Sequence, residues 1–152
     1  MSDPKPKKIK DDYSCGVVPC RVVEGVREYL LVQHHAGHWA FPKGHPEADE
    51  SPIQTAAREL AEETGLAQAD LLEAPAFEEA YTFTKRSGTQ VRKLVTYFLG
   101  QVSADAQVTA QPEEICAIAW GDAQATRARL TFDEGRRLFE EVEAYLAQPT
   151  AD

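Results

Sequence analysis

Residues 42–66 read Pro-Lys-Gly-His-Pro-Glu-Ala-Asp-Glu-Ser-Pro-Ile-Gln-Thr-Ala-Ala-Arg-Glu-Leu-Ala-Glu-Glu-Thr-Gly-Leu, and nothing else in the chain is as dense in acidic side chains at helical spacing. Ser51 is a good N-cap, Pro52 suits the first helical position, and Gln54 stands three residues past the cap. Gly65 suits the residue just beyond the helix end. Ile53, Ala56, Ala57, Leu60 and Ala61 share one face, which is expected to be buried. Glu59, Glu62 and Glu63 stand at i, i+3 and i+4, so their carboxylates neighbour one another on another face.

Those glutamates sit badly for stability. Two fall in the last turn, where the helix dipole disfavours negative charge, and like charges at i, i+4 repel by a few tenths of a kcal/mol. A solvated helix end would instead favour Lys or Arg. A divalent cation offsets both penalties, and carboxylate oxygens suit Mg2+ or Mn2+, with waters and substrate phosphates completing the shell.

The stretch resembles the Nudix box of nucleoside-diphosphate-linked-moiety hydrolases. Gly44, five residues, Glu50, seven residues, Arg58-Glu59-Leu60, one residue, Glu62-Glu63, one residue and Gly65-Leu66 match the pattern in type and spacing. The resemblance implies an α/β fold, a Nudix α/β/α sandwich with a mixed central sheet and flanking helices. It also implies metal-assisted hydrolysis of a phosphoanhydride bond. In the family, the positions of Glu59, Glu62 and Glu63 hold Mg2+ or Mn2+, helped by the carbonyl at the Gly44 position. Arg58 and Glu50 match the pair that ties loop to helix. The general base lies either within the box or on a separate loop; Glu114 is the leading outside candidate, followed by Glu113, Glu78 and Glu79.

Length and charge narrow the rest. With 152 residues the chain suits one domain, expected over 13–148 after a flexible basic tail, 1–12. The net charge of −9 argues against a stable nucleic-acid complex, which needs clustered Lys and Arg. Cys15, Cys20 and Cys116 contain no C-x-x-C pair and read as free thiols of a reducing, cytoplasmic compartment. No secretory h-region and no membrane-spanning stretch is seen, so no membrane is expected. The resemblance implies a small-molecule nucleotide partner, and a monomer or weak homodimer is expected.

Along the chain, 13–23 and 28–33 read as a hairpin around Glu24-Gly25, with Pro19 marking an edge or bulge. His34, His35 and His38 fall in a loop whose spacing is no closed zinc pattern. Trp39 and Phe41 are expected beneath the metal site. Residues 67–75 read as a loop, 77–84 as a strand, 85–89 as a turn, and 91–102 as the most apolar, central strand. Residues 115–120 form a last short strand. Asp122 caps a short helix to about 129, and Thr131 with Glu134 reads as a second capping box. The helix it opens carries Leu138, Phe139, Val142, Tyr145 and Leu146 on one stripe.

Substrate choice rests outside the box. The segments 39–45, 93–99 and 119–120 look like asymmetrical diadenosine tetraphosphate hydrolases. That likeness implies adenine stacking at Tyr97, with Tyr81 as second partner, and a shared Lys at position 93. Lys43 is a candidate phosphate contact, and Lys85, Arg86, Arg92 and Lys93 could grip a polyphosphate. RNA 5′-ends, diphosphoinositol polyphosphates and nucleoside triphosphates are the alternative substrates. A non-catalytic nucleotide sensor is the alternative of another class, disfavoured because every box carboxylate is present.

Overall fold

The computed structural model describes residues 8–149. Its elements are β1 (Ile9–Val23), β2 (Val26–His34), β3 (Trp39–Ala40), β4 (Lys43–Gly44), α1 (Pro52–Thr64), β5 (Asp70–Thr84), β6 (Gln90–Gln101), β7 (Ile115–Gly121), α2 (Ala123–Arg129) and α3 (Asp133–Leu146). None of the described helices is long and apolar enough to cross a membrane. The strands form one mixed sheet in which β1 and β6 run parallel and the remaining pairs antiparallel.

The feature that positions the site is a split between two neighbours. β1 pairs with β2 only over Cys20–Val23 against Val26–Tyr29. Beyond that the two strands part. β3 then pairs with β2 at Val32 and Gln33, and β4 pairs with β1 at Cys15 and Gly16. The segment 39–44 thus fills the opening and delivers the chain to α1.

Side-chain alternation along the strands sorts the core into two layers. Val18, Tyr29, Leu31, Val95, Tyr97 and Leu99 face α3, where they meet Leu138, Phe139 and Val142. Cys15, Val17, Leu30, Val32 and Phe98 face α1, where they meet Ala56 and Leu60. This is the α/β/α sandwich expected from the sequence. The apolar stripe of α3 also lies where its spacing puts it, with Tyr145 and Leu146 packed on the same layer.

Several expectations need correction. Residues 9–12, read as the end of a tail, are strand and pair with Gln90–Lys93 of β6; residues 1–7 lie outside the described residues. Residues 70–75, read as loop, belong to β5, whose register against β6 shifts between Leu71 and Ala76. Pro19 is not at an edge, because β1 lies inside the sheet. It falls between the part of β1 that pairs with β4 and the part that pairs with β2, and Val17 N, two residues earlier, donates to Pro42 O on that same side. The missing N–H therefore breaks no ladder. Thr131 does not cap α3, whose N-cap is Phe132 without a side-chain cap bond. Its hydroxyl instead accepts from Trp39 N at 2.8 Å, tying the α2–α3 link to β3. Trp39 and Phe41 do not lie under α1: Phe41 belongs to, and Trp39 packs on, the α3 layer.

Candidate active site

The helix α1 starts as its sequence dictates. Ser51 Oγ accepts from Gln54 N, Gln54 Oε1 accepts from Ser51 N, and Gly65 closes the helix at φ 78°. Its buried face, however, differs from the expected one. Ala57 is exposed, and the stripe runs Ala56, Leu60, Glu63, so a carboxylate ends the apolar face. Glu63 is 1% exposed, Glu59 is half-buried and Glu62 is exposed. The last turn carries no basic residue.

Gly44 abuts this cluster. A Cβ at residue 44 would lie 2.0 Å from the Glu59 carboxyl carbon, so only glycine lets the carboxylate rest against β4. Lys43, its neighbour, projects to the other face by strand alternation and lines the cavity described below. Arg58 organises the rest. Its Nε and Nη2 donate to the two Glu50 oxygens at 2.7 and 3.0 Å, and Nη2 also donates to His45 O. Its Nη1 reaches Glu59 at 3.0 Å and Glu62 at 3.1 Å. Glu50 further accepts from Glu47 N and the Thr55 hydroxyl. Arg58, with those bonds, holds the Glu50 carboxyl down to about 2. The loop and the helix are thereby tied through one guanidinium, the geometry of a bidentate pair.

The electrostatics are those of crowded carboxylates. Burial, then Glu59, pushes Glu63 up to about 8, with Lys43 pulling the other way. Burial also raises Glu59, against the pull of Arg58, and Glu62 and Glu114 add to the rise. Glu114 therefore stands close enough to be felt by both, whereas Glu113 accepts from Gln111 Nε2 and Glu78 faces solvent. Among the described residues no three His, Cys, Asp or Glu groups converge on one point as they stand; Arg58 Nη1 bridges Glu59 and Glu62. The donor set still fits a hard divalent cation. It is all oxygen, and the buried Glu63 Oε2 has no hydrogen-bond partner, an arrangement that is costly unless something positive meets it.

On the opposite side of Lys43 lies a cavity of about 340 Å3, within the range of small-molecule sites. Trp39, Phe41, Tyr81, Phe83, Tyr97 and Phe132 are among its walls. Tyr97 departs from expectation: at 1% exposure it is packed edge-on against Phe41, with ring centroids 6.0 Å apart, so it contributes wall rather than an open stacking face. Tyr81 is more accessible and leans on Phe83 at 6.2 Å. Lys93 also differs. Its Nζ is 2.9 Å from Asp12 Oδ2 and 2.7 Å from Ser14 Oγ, so it is a buried, already paired cation. Arg92 is likewise held by Asp11. The basic hairpin is thus half neutralised by the residues read as tail.

Sequence reasoning undervalued Glu79. It faces the same cavity as Lys43, and burial raises its carboxyl while Lys43 pulls it down. The strand period was the available signal, since Phe77, Glu79, Tyr81 and Phe83 share one face. The histidines hold other tasks. His34 and His38 stack at 4.4 Å, and His35 Nε2 meets Pro112 O at 2.7 Å.

Fold and site together define a three-layer domain of the Nudix type. Residues 15–142 match the family model described as the NUDIX domain, and the chain belongs to that family. It is 32% identical over 125 residues to the asymmetrical bis(5'-nucleosyl)-tetraphosphatase of Rattus norvegicus, covering 80% of this chain and 77% of that protein. It is 31% identical over 114 residues to the mutator-type protein MutT4 of Mycobacterium tuberculosis, covering 75% of this chain but only 44% of that longer protein. The structure resembles the binary complex of the C. elegans Ap4A hydrolase, with a TM-score of 0.76 and 26% identity over 89% of this chain and 97% of that one.

Proposed function

We propose that this protein hydrolyses a phosphoanhydride bond in a bis(5'-nucleosyl)-tetraphosphate, converting diadenosine tetraphosphate to ATP and AMP. The observation that carries the reading is the junction at residues 43–44. There one residue faces a carboxylate cluster with an unpartnered buried oxygen, and its neighbour faces an aromatic cavity. The likeness to the rat tetraphosphatase and the worm Ap4A hydrolase supports the same substrate class.

In this reading Glu59, Glu62 and Glu63, with the Gly44 carbonyl, hold Mg2+ or Mn2+. The bound ion supplies Lewis-acid neutralisation of the phosphate charge. Arg58, tied to Glu50, fixes the orientation of Glu59 and Glu62. Lys43 contacts phosphate oxygens between the two half-sites. Glu114 takes a proton from the attacking water, within the 10²–10⁴-fold that general bases contribute. One P–O bond to the bridging oxygen breaks, the water oxygen bonds to that phosphorus, and the bridging oxygen leaves with the other phosphate. Tyr81 and the cavity walls hold a base, a contact worth about 1–3 kcal/mol. Free Cys15, Cys20 and Cys116 suit a reducing, cytoplasmic setting.

Purified protein with Mg2+ is expected to release ATP and AMP from diadenosine tetraphosphate. Glu63→Gln, which removes a metal-holding charge, is expected to lower activity by at least about 10-fold to 100-fold. Turnover measured in parallel on a 5'-triphosphorylated RNA, a diphosphoinositol polyphosphate and a nucleoside triphosphate decides the substrate. Better turnover of any of these would replace the assignment, and full activity in Glu63→Gln would remove the metal roles.

A further inference from the structure

Two aromatic pairs at the cavity come from separate elements. Tyr81 and Phe83 belong to β5, while His38 and Phe132 lie on the β2–β3 and α2–α3 links with their rings 5.3 Å apart. Phe83 is 42% exposed and Phe132 53%. Large aromatic side chains left open around a concave site mark a surface meant to be covered. Flat aromatic walls suit a flat ligand, and a base face stacks on them whatever its edge carries.

The edge is then read by the polar groups that share the cavity. Glu79 stands in the row Phe77, Glu79, Tyr81, Phe83, two residues before the aromatic wall Tyr81 and on the same face of β5. Among the described residues no group hydrogen-bonds its carboxylate, although Lys43 and Lys93 are both close enough to influence it. Glu134, from the first turn of α3, adds a second carboxylate to the lining. An ionised carboxylate only accepts hydrogen bonds and offers two oxygens side by side. Guanine presents two adjacent donors, its N1–H and its 2-amino group. Adenine presents a donor beside an acceptor, whose lone pair would face a carboxylate oxygen.

We infer that this cavity selects a guanine-type base, with Glu79 accepting from the N1–H and the 2-amino group while Phe83, Phe132 and Tyr81 cover its faces. The inference deepens the nucleotide reading above and rests on it. Lys43, on the cavity's inner side, leads from this base to the carboxylate cluster, so the polyphosphate runs from Glu79 towards Glu63. Within the bis(5'-nucleosyl)-tetraphosphate class, a substrate carrying guanine at this end is then favoured over diadenosine tetraphosphate, which is still hydrolysed but held about tenfold more weakly.

Calorimetric titration of the full-length protein with GTP and with ATP tests this without requiring turnover. The wild type is expected to bind GTP about tenfold or more tightly than ATP, the discrimination typical of one bidentate base contact. In Glu79→Gln the new amide offers one donor and one acceptor, the pattern adenine needs, so the preference should reverse. Should that variant fold poorly, Glu79→Ala should bring the ratio towards one. Phe132→Ala should weaken both ligands alike. Equal affinities, a ratio that Glu79 variants do not move, or no binding of either nucleotide would each overturn the inference. The reaction is separable: intact ratios without tetraphosphate hydrolysis would remove the proposed chemistry and keep the base assignment, and hydrolysis with no ratio would do the opposite.

Discussion

Two glycines show how differently a single missing Cβ can matter. A methyl at Gly44 would overlap the end of the Glu59 side chain, 2.0 Å from its carboxyl carbon. That is the far end of a flexible side chain, which can swing away. Gly44→Ala should therefore fold, with a Tm close to the wild type, but with Glu59 displaced from β4. Misplacing a catalytic group by about 1 Å can cost about 10²-fold in rate, so kcat should fall by at least tenfold. At Gly16 the added methyl meets the backbone oxygen of Pro42 at 2.3 Å and the Tyr97 ring at 2.8 Å. Neither can move without opening the junction where β4 pairs with β1. Gly16→Ala should lose about 1–3 kcal/mol of stability, the usual cost of overpacking, visible as a lower urea midpoint. Gly44 was legible in the sequence from its place in the box. Gly16 was not, because its neighbour at residue 42 arrives from a separate element.

Among the elements, α1 was the most legible: capping and terminating glycine are local and appear where the sequence puts them, while the apolar face is shifted, leaving Ala57 exposed. What the helix hides is that Glu63 lies on its buried side. The sequence placed the three glutamates on a face apart from the apolar one, whereas the core stripe ends on a carboxylate. β2 carries a comparable surprise at its last residue. His34 sits where the pairing with β7 shifts register, and its Nε2 is buried without a partner. Burial, then the neighbouring His38 and Lys43, hold its pKa down to about 4 against an ordinary 6.5. Above pH 6.5 the ring is neutral in both folded and unfolded chains and costs nothing. Between 6.5 and 4 the unfolded chain takes up a proton that the fold resists, so the His34 contribution falls through that window as pH drops. Glu63, held up to about 8 against an ordinary 4.5, works the other way, adding stability as pH drops from 8 to 4.5. The His34 contribution is therefore read as a difference: urea midpoints across pH 4–8 should show wild type losing ground to His34→Gln as pH falls from 6.5 to 4. A constant difference between the two across that window would assign the loss elsewhere.

At the scale of the whole molecule, the layers and the site helix follow from periodicity and one motif, while the errors cluster where pairing is long-range. Residues 9–12 read Ile-Lys-Asp-Asp, a stretch whose charge gives no local strand signal. It becomes strand because β6 offers a parallel partner about eighty positions away, and loop-closure cost for such a pairing is repaid only by the assembled sheet. The same pairing explains why the basic hairpin is not a free phosphate grip, since Asp11 and Asp12 meet Arg92 and Lys93. The two ion pairs should not be worth the same. Arg92 and Asp11 are 61% and 76% exposed, so the pair is screened and Asp11→Ala should cost well under about 1 kcal/mol. Lys93 is 7% exposed, and Asp12, which also meets His45 at 2.9 Å, is the only carboxylate bonded to it among the described residues. Asp12→Ala leaves a buried ammonium with only Ser14 Oγ and releases the loop that follows Gly44. The expected loss is about 1–3 kcal/mol, the penalty for a buried polar group stripped of its partner. In a domain of this size that lowers the Tm by about 3–10 °C, against at most a degree or two for Asp11→Ala. Equal melting temperatures in the two variants would mean that residues 9–12 hang loosely on β6 and that Lys93 finds water when its carboxylate is gone.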